Sequence, residues 1–164
     1  MKRPNVNIKL TVADWISETF SFLFVLAIIV LTATSYSSLP ETIPTHFNAS
    51  GTADGSGGKW SILLLASVGI AVYGLTTLAV RFPMLMNYPV TITPENHEQQ
   101  YLNAVKLMRA VKLIVTGMLL YLIHMVIQNA RGNSEGLGWL FLPISLLLVL
   151  GSAGYYLYRG YSIK

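Results

Sequence analysis

Four long apolar runs constrain this chain more than any other feature. A bilayer core about 30 Å thick needs roughly 20 apolar residues in a helix. Residues 20–36, 60–80, 107–127 and 139–158 supply four such segments. Charged residues make up only 11% of the chain and gather between these runs. The expected fold is therefore an all-α membrane protein, a single four-transmembrane-helix bundle spanning residues 1–164. The absence of cysteine excludes disulfides, thiolate metal sites and cysteine nucleophiles. A formal charge of +4 would suit nucleic acid, but the basic residues flank apolar runs and form no separate basic face, so no nucleic-acid partner is expected.

Lys and Arg counts give an orientation. Lys2, Arg3 and Lys9 precede the first run. Arg81, Lys106, Arg109 and Lys112 lie in or beside the connection between the second and third, and Arg159 and Lys164 follow the fourth. Opposite these nine stand only Lys59 and Arg131. The asymmetry places both termini in the cytoplasm of a bacterial cell, with a multi-pass protein in its inner membrane. Residues 37–59 and 129–138 then face outward. The first run reads as a retained helix and not a cleaved signal: Asp14 and Glu18 precede it, and no clean small-x-small site follows.

Local signals refine the elements. Thr11 followed by Asp14 makes a capping box, so the first helix should begin near Val12. Thr93 is a good N-cap with Pro94 at the first helical position, so a helix should start near Pro94 and run unbroken into the third span. Pro83, Pro89 and Pro94 forbid one continuous helix across the connection before it. Residues 88–92 read as a short extended piece.

Polar residues within apolar helices are costly in lipid and belong inside a bundle. On the first helix, Asp14, Ser17, Glu18, Ser21, Thr32, Ser35 and Tyr36 fall within about a 100° sector. On the third, Lys106, Gly117, Tyr121, His124 and Gln128 fall within about 60°. Both stripes are expected to face the interior. Asp14 and Glu18 share a level with Lys106, Arg109 and Lys112, which suits structural ion pairs. Gly151, Ser152, Ala153 and Gly154 suggest a packing seam on the fourth helix.

The connection between the first two spans reads SSLPETIPTHFNASGTADGSGGKW. Prolines disfavour helix, and Asp-Gly and Ser-Gly favour tight turns, so an ordered hairpin capping the bundle is expected, with Phe47 as its apolar anchor. Leu39, Pro40, Ile43, Pro44, His46, Phe47, Asn48, Gly51, Asp54, Gly55 and Lys59 resemble the loop of a bacterial membrane domain of unknown function that also forms the N-terminal part of SdpI-type immunity proteins. Asn87-Tyr88-Pro89 is a looser match. The resemblance implies protection against a secreted peptide toxin, with signalling through a repressor held at the membrane.

The candidate ligand-binding residues are His46, Asn48, Asp54, Lys59 and His124. Two histidines and a carboxylate (His46, His124 and Asp54) could in principle hold zinc with an open position. However, the chain has no HExxH, CxxC or GxSxG and no phosphate-cradling Gly-rich loop. The expectation is a non-enzymatic protein without cofactor, whose outer loop meets a peptide, lipid or protein partner. Two alternatives stand beside it: a metal-dependent membrane enzyme centred on the outer loop, and a structural or transporter-associated subunit. His97 is expected to be solvated. The orientation itself is testable. A cysteine replacing Ser56 should react with an impermeant thiol reagent on intact cells, and one replacing Gln99 should not; the reverse pattern would end this topology.

Overall fold

The structure is a computed structural model that describes residues 9–163. Lys2, Arg3 and Lys164, counted above for orientation, lie outside the described residues. Four helices are long and apolar enough to cross a membrane. They are α1 (Val12–Ser35), α2 (Ser61–Ala79), α3 (His97–Ala130) and α4 (Phe141–Ser162). Two strands, β1 (Thr42–Phe47) and β2 (Ala53–Gly58), pair between α1 and α2. At 1.5 Å per residue α2 is about 28 Å long, close to one bilayer core.

The burial pattern is that of a membrane bundle. Ser21, Thr32, Ser35 and Thr116 are buried, whereas Leu23, Leu26, Leu64, Leu75, Leu147 and Leu150 are exposed. Lipid supplies no hydrophobic driving force between helices, so polar and small groups turn inward and leucines face out. Trp60 and Trp139 are exposed at the hairpin end, and Trp15, Tyr158 and Tyr161 toward the other, where membrane aromatics settle.

α1 starts where its sequence signal predicts. The Thr11 hydroxyl accepts a hydrogen bond from the Asp14 N–H, and the Thr11 N–H donates to the Asp14 carboxylate at 2.8 Å. Its buried residues are Asp14, Ser21, Val25, Ile28, Thr32 and Ser35, which is the expected polar stripe continued by two aliphatic residues. α3 is continuous, but its regular turns begin at His97, three residues after Pro94. Thr93 and Asn96 close that entry reciprocally, Thr93 Oγ1 accepting from the Asn96 N–H and Asn96 Oδ1 from the Thr93 N–H. Residues 88–92 form no strand; a short 3-10 turn, Pro83–Leu85, precedes them, and the Tyr88 hydroxyl donates to the Pro83 carbonyl.

The stripe expected on α3 is on the wrong face. Tyr121 and His124 are exposed, and Lys106 and Gln128 are only half-buried. The face that packs inward carries Val105, Arg109, Lys112, Thr116, Ile123, Val126 and Ile127. The two faces are about 120° apart at 100° per residue. α3 contacts α1, α2 and α4, so more than one of its faces meets protein. The stripe through Gly117 and Tyr121 turns toward α4: the Tyr121 hydroxyl donates to the Leu137 carbonyl at 2.8 Å and its ring stacks on Phe141.

α4 is fastened at its two ends. At the far end Gln100 Nε2 donates to the carbonyls of Gly160 and Ile163, and Asn103 Nδ2 donates to that of Tyr156. The carbonyls of Gly160 and Ile163 are ones that a helix C-terminus leaves open, while that of Tyr156 lies within the helix and takes the Asn103 amide as a second donor. α4 is also tightly packed at Gly160, where an added Cβ would lie 3.1 Å from the Pro89 ring. The seam expected at Gly151 and Gly154 is not used within the chain, for no atom lies within 4 Å of a Cβ placed at either.

The hairpin is docked by apolar side chains. Ile43 is 1% exposed and Leu39 4%, and both join Ile28, Ile62, Ile123 and Ile127 in the core at that end of the bundle. Phe47, the expected anchor, is only half-buried at the edge of the same cluster. The hairpin turn meets the α3–α4 loop backbone to backbone: the Leu137 N–H donates to the Gly51 carbonyl at 2.7 Å. Gly51 has φ +82°, and a Cβ there would lie 2.5 Å from the Gly138 carbonyl oxygen, so both conformation and space require glycine. Ile43→Ala should therefore cost about 2–5 kcal/mol, the range for truncating a buried aliphatic side chain. The checks are thermal melting in detergent and hydrogen exchange of the hairpin amides, which should speed up before those of α3.

Candidate functional site

Charged side chains collect at two places, one buried and one exposed. The buried cluster lies at the end of the bundle away from the hairpin. Glu18 is roughly 25 Å along α1 from Ser35 at helical rise. Lys112 has 0% side-chain exposure, and its ammonium sits 2.5 Å from Glu18 Oε2 and 3.1 Å from Thr77 Oγ1. It also lies 5.1 Å from the centre of the Tyr73 ring. Arg109 approaches Asp14 at 2.9 Å and Glu18 at 3.3 Å. These guanidinium contacts are at ion-pair distance but outside hydrogen-bonding geometry, leaving Arg109 Nε and Glu18 Oε1 without hydrogen bonds. The cluster therefore joins α1, α2 and α3 with two positive and two negative charges. The expected pairing of Asp14 and Glu18 with Arg109 and Lys112 is present. Lys106, placed in the same group by sequence, is half-buried and forms no ion pair among the described residues.

The exposed group lies on the hairpin. β1 and β2 pair antiparallel with an irregularity around His46, which sets His46 opposite Gly55. His46 Nδ1 is 2.5 Å from Asp54 Oδ1, and the two side chains are 71% and 43% exposed. The two side chains are thus held by a hydrogen bond to each other. Asn48 shapes the turn: its Oδ1 accepts from the backbone N–H groups of Ser50 and Thr52 and from the Ser50 hydroxyl. Two N–H donors fix which side-chain atom is the oxygen, so Nδ2 points away from the turn and has no partner among the described residues. Lys59 bonds Glu41 at 2.9 Å and lies 5.5 Å from the centre of the Tyr36 ring. The hydrogen bond to Glu41 holds the Lys59 ammonium above the usual lysine range.

His46 and Asn48 also line a cavity of about 330 Å³ with Phe47, Leu137, Phe141 and Leu142. One side of it is polar and belongs to the hairpin; the other is apolar and belongs to the loop and first turn of α4. The structure thus brings His46, Asn48 and Asp54 together and leaves Lys59 paired elsewhere. His124 is exposed on α3. Among the described residues no three His, Cys, Asp or Glu side chains assemble as a metal site, so His46, Asp54 and His124 do not form the zinc trio considered from sequence. Sequence reasoning missed Leu137 and Phe141. A short loop before an apolar run carries no sign that it will meet a hairpin some 80 residues earlier.

Residues 23–70 match the family model of a domain of unknown function, DUF1648. The match begins inside α1, takes in the whole hairpin and ends inside α2. A protein of Archaeoglobus fulgidus described as an uncharacterized protein is 40% identical over 58 residues, covering 34% of this chain and 31% of that relative. The aligned part is thus about a third of either chain. Neither name states an activity. No solved structure matches.

The buried cluster makes its own prediction. Removing one partner of a buried ion pair strands the other, typically at a cost of about 3–5 kcal/mol, whereas replacing both with apolar or neutral groups is close to neutral. Glu18→Gln should lower stability by about that amount, and Glu18→Gln with Lys112→Met should recover most of it. Thermal melts of the two single variants and the double variant in one detergent check the cycle. Additive losses would mean that the two charges do not act as a pair.

Proposed function

We propose that this chain is a non-enzymatic membrane protein whose hairpin, on the extracytoplasmic side, is a recognition face of the toxin-immunity or signalling type. The observation that carries the reading is the division of labour within the hairpin. Leu39 and Ile43 spend their apolar surface on docking, so the hairpin keeps one position on the bundle. His46 and Asp54 stay in solvent, bonded to each other and to no part of the bundle that they could be stabilising. A polar pair held rigidly at the rim of a cavity is preorganised for a partner, and loops on rigid scaffolds are where binding residues concentrate. The charge asymmetry supports the orientation. With Arg109 and Lys112 neutralised by Asp14 and Glu18, seven basic residues still face two. The resemblance of residues 39–59 to the loop of SdpI-type immunity proteins supports the functional class, with a secreted peptide as the partner it suggests.

A second reading has one observation in its favour. Gly151 and Gly154 leave a smooth strip on α4 that nothing in the chain covers, which suits packing of this chain as a subunit against another membrane protein.

The leading reading is tested with His46→Ala and Asp54→Ala. Exposed substitutions away from packing contacts shift melting by no more than about 2 °C. Both variants should melt with the unaltered protein and lose its protection of cells against an exported peptide toxin. A fall in melting temperature with a proportionate loss of protection would make the pair a structural cap, and retained protection would remove the pair from the function altogether.

A further inference from the structure

A larger cavity of about 570 Å³ runs between α3 and α4. Its walls include Leu113, Ile114, Met118, Ile144 and Leu148, and it exists because α4 is fastened at its two ends and stands away from α3 between them. Leu137 and Phe141 line both this groove and the hairpin cavity. A small polar-rimmed pocket thus adjoins a long apolar groove across a shared wall. Four membrane-crossing helices put that groove among acyl chains.

One residue in the groove is out of character. Ser145 is 6% exposed, lines the groove, and has no hydrogen bond among the described residues. Several hydroxyls on these helices bond back to the preceding turn (Ser21 to the Ser17 carbonyl, Thr116 to Lys112, Ser152 to Val149 and Ser162 to Tyr158), whereas Thr32 on α1, like Ser145, does not. The Ser145 hydroxyl opens onto the groove with no partner among the described residues, so it is free to donate to an acceptor from outside the chain. It stands six residues into the helix from Trp139, which is exposed at the groove's mouth; that is roughly 9 Å deeper at helical rise. Interfacial tryptophans mark the headgroup level, so Ser145 lies at the depth where a phospholipid's ester oxygens begin. At the mouth, the free amide of Asn48 offers N–H donors to a phosphate, with the His46 ring beside it in the same cavity lining.

We infer that the hairpin cavity and the α3–α4 groove form one site for a membrane phospholipid. Its head lies against His46 and Asn48, an ester oxygen accepts from Ser145, and one acyl chain fills the groove. This rests on the reading of the hairpin as a recognition face and adds a bound lipid to the surface that a peptide partner would meet. The size of the groove falls within the roughly 300–1,000 Å³ of ordinary ligand sites. The occupant is a lipid and not a helix because the site narrows to a polar end built for a head group.

The test is native mass spectrometry of the full chain released from nanodiscs of phosphatidylethanolamine, with the affinity of a photoactivatable analogue measured alongside. The unaltered chain should hold one lipid through detergent exchange. Ser145→Phe fills the groove and Leu148→Trp fills it lower down, so that one can stand in if the other melts early. Asn48→Asp keeps the turn's acceptor oxygen and replaces the free donor with a carboxylate. A groove-filling variant should lose the retained lipid, and Asn48→Asp should weaken binding about tenfold or more, as expected when a phosphate loses a donor and meets a negative charge. Lipid retention unaffected by every variant would mean annular lipid only and overturn the site. A dimer that Ser145→Phe or Leu148→Trp dissociates would overturn it in favour of a second copy of the chain in the groove. If His46→Ala abolishes protection while the groove variants change no lipid, the recognition face stands and the lipid assignment fails. If the groove variants release lipid while Asn48→Asp and His46→Ala change neither binding nor protection, the inferred head-group seat fails together with the hairpin reading.

Discussion

Lys112 is the charge around which this bundle is arranged. A lysine within a membrane-crossing helix cannot be left facing lipid and cannot be buried alone. Its ammonium is met by a carboxylate from α1 and a hydroxyl from α2, so one side chain fixes the rotation of three helices together. Arg109, one turn earlier on α3, repeats the arrangement with Asp14. Asp14 also serves the helix start, accepting from Thr11, so the entry of α1 and the charge cluster are pinned by the same carboxylate. Once those rotations are set, the opposite ends of α1 and α3 carry Ile28, Ile123 and Ile127 inward, and these make the apolar seat on which the hairpin rests.

How much of this was legible in the sequence depended on whether one helix face or several met protein. α1 has a single inward face, and the polar residues in its apolar run marked it correctly through Ser35. α3 touches every other helix, so its polar residues divide between two directions, and the stripe chosen by clustering turned toward α4 and lipid. The residues that mattered there, Arg109, Lys112 and Thr116, were visible, but only pairing with α1 distinguishes them. The Thr11 start was readable because capping is local chemistry; at Thr93 the same signal marked a turn, and the regular helix begins only at His97. The hairpin was readable from its turn residues, but its anchor was not: an aromatic residue drew the eye to Phe47, whereas the pleat of β1 turns Ile43 into the core. Gly151 and Gly154 look like a seam in sequence, but a small residue shows only that a close approach is permitted. On α4 it is Gly160, a lone glycine near the helix end, that lies against other residues of the chain, the Pro89 ring among them.

The part of the chain that matches a domain of unknown function is not the part that holds the buried charges in full. Residues 23–70 include the hairpin and the adjoining parts of α1 and α2, while Asp14, Glu18, Thr77, Arg109 and Lys112 all lie outside. The matched segment is stabilised by a cluster that it does not contain, and α3 supplies both the positive charges at one end and most of the apolar seat at the other. The hairpin's apolar seat is shared across that boundary, Ile28, Ile62 and Ala66 lying within the match and Ile123, Val126 and Ile127 beyond it.

The attachment of α4 at its two ends has a consequence for assembly. As the chain emerges from the ribosome, α1, α2 and α3 can complete their charge cluster before α4 is made. Gln100, buried in the finished protein, and Asn103 cannot be satisfied at that stage, because their acceptors are the carbonyls of Tyr156, Gly160 and Ile163. At the opposite end, the Gly51 carbonyl gains its donor from Leu137 only when the segment leading into α4 folds back over the hairpin turn. The fourth helix is thus the step that closes the protein at both membrane surfaces at once. A chain halted before that step would still display the Gln100 and Asn103 amides without those carbonyl partners.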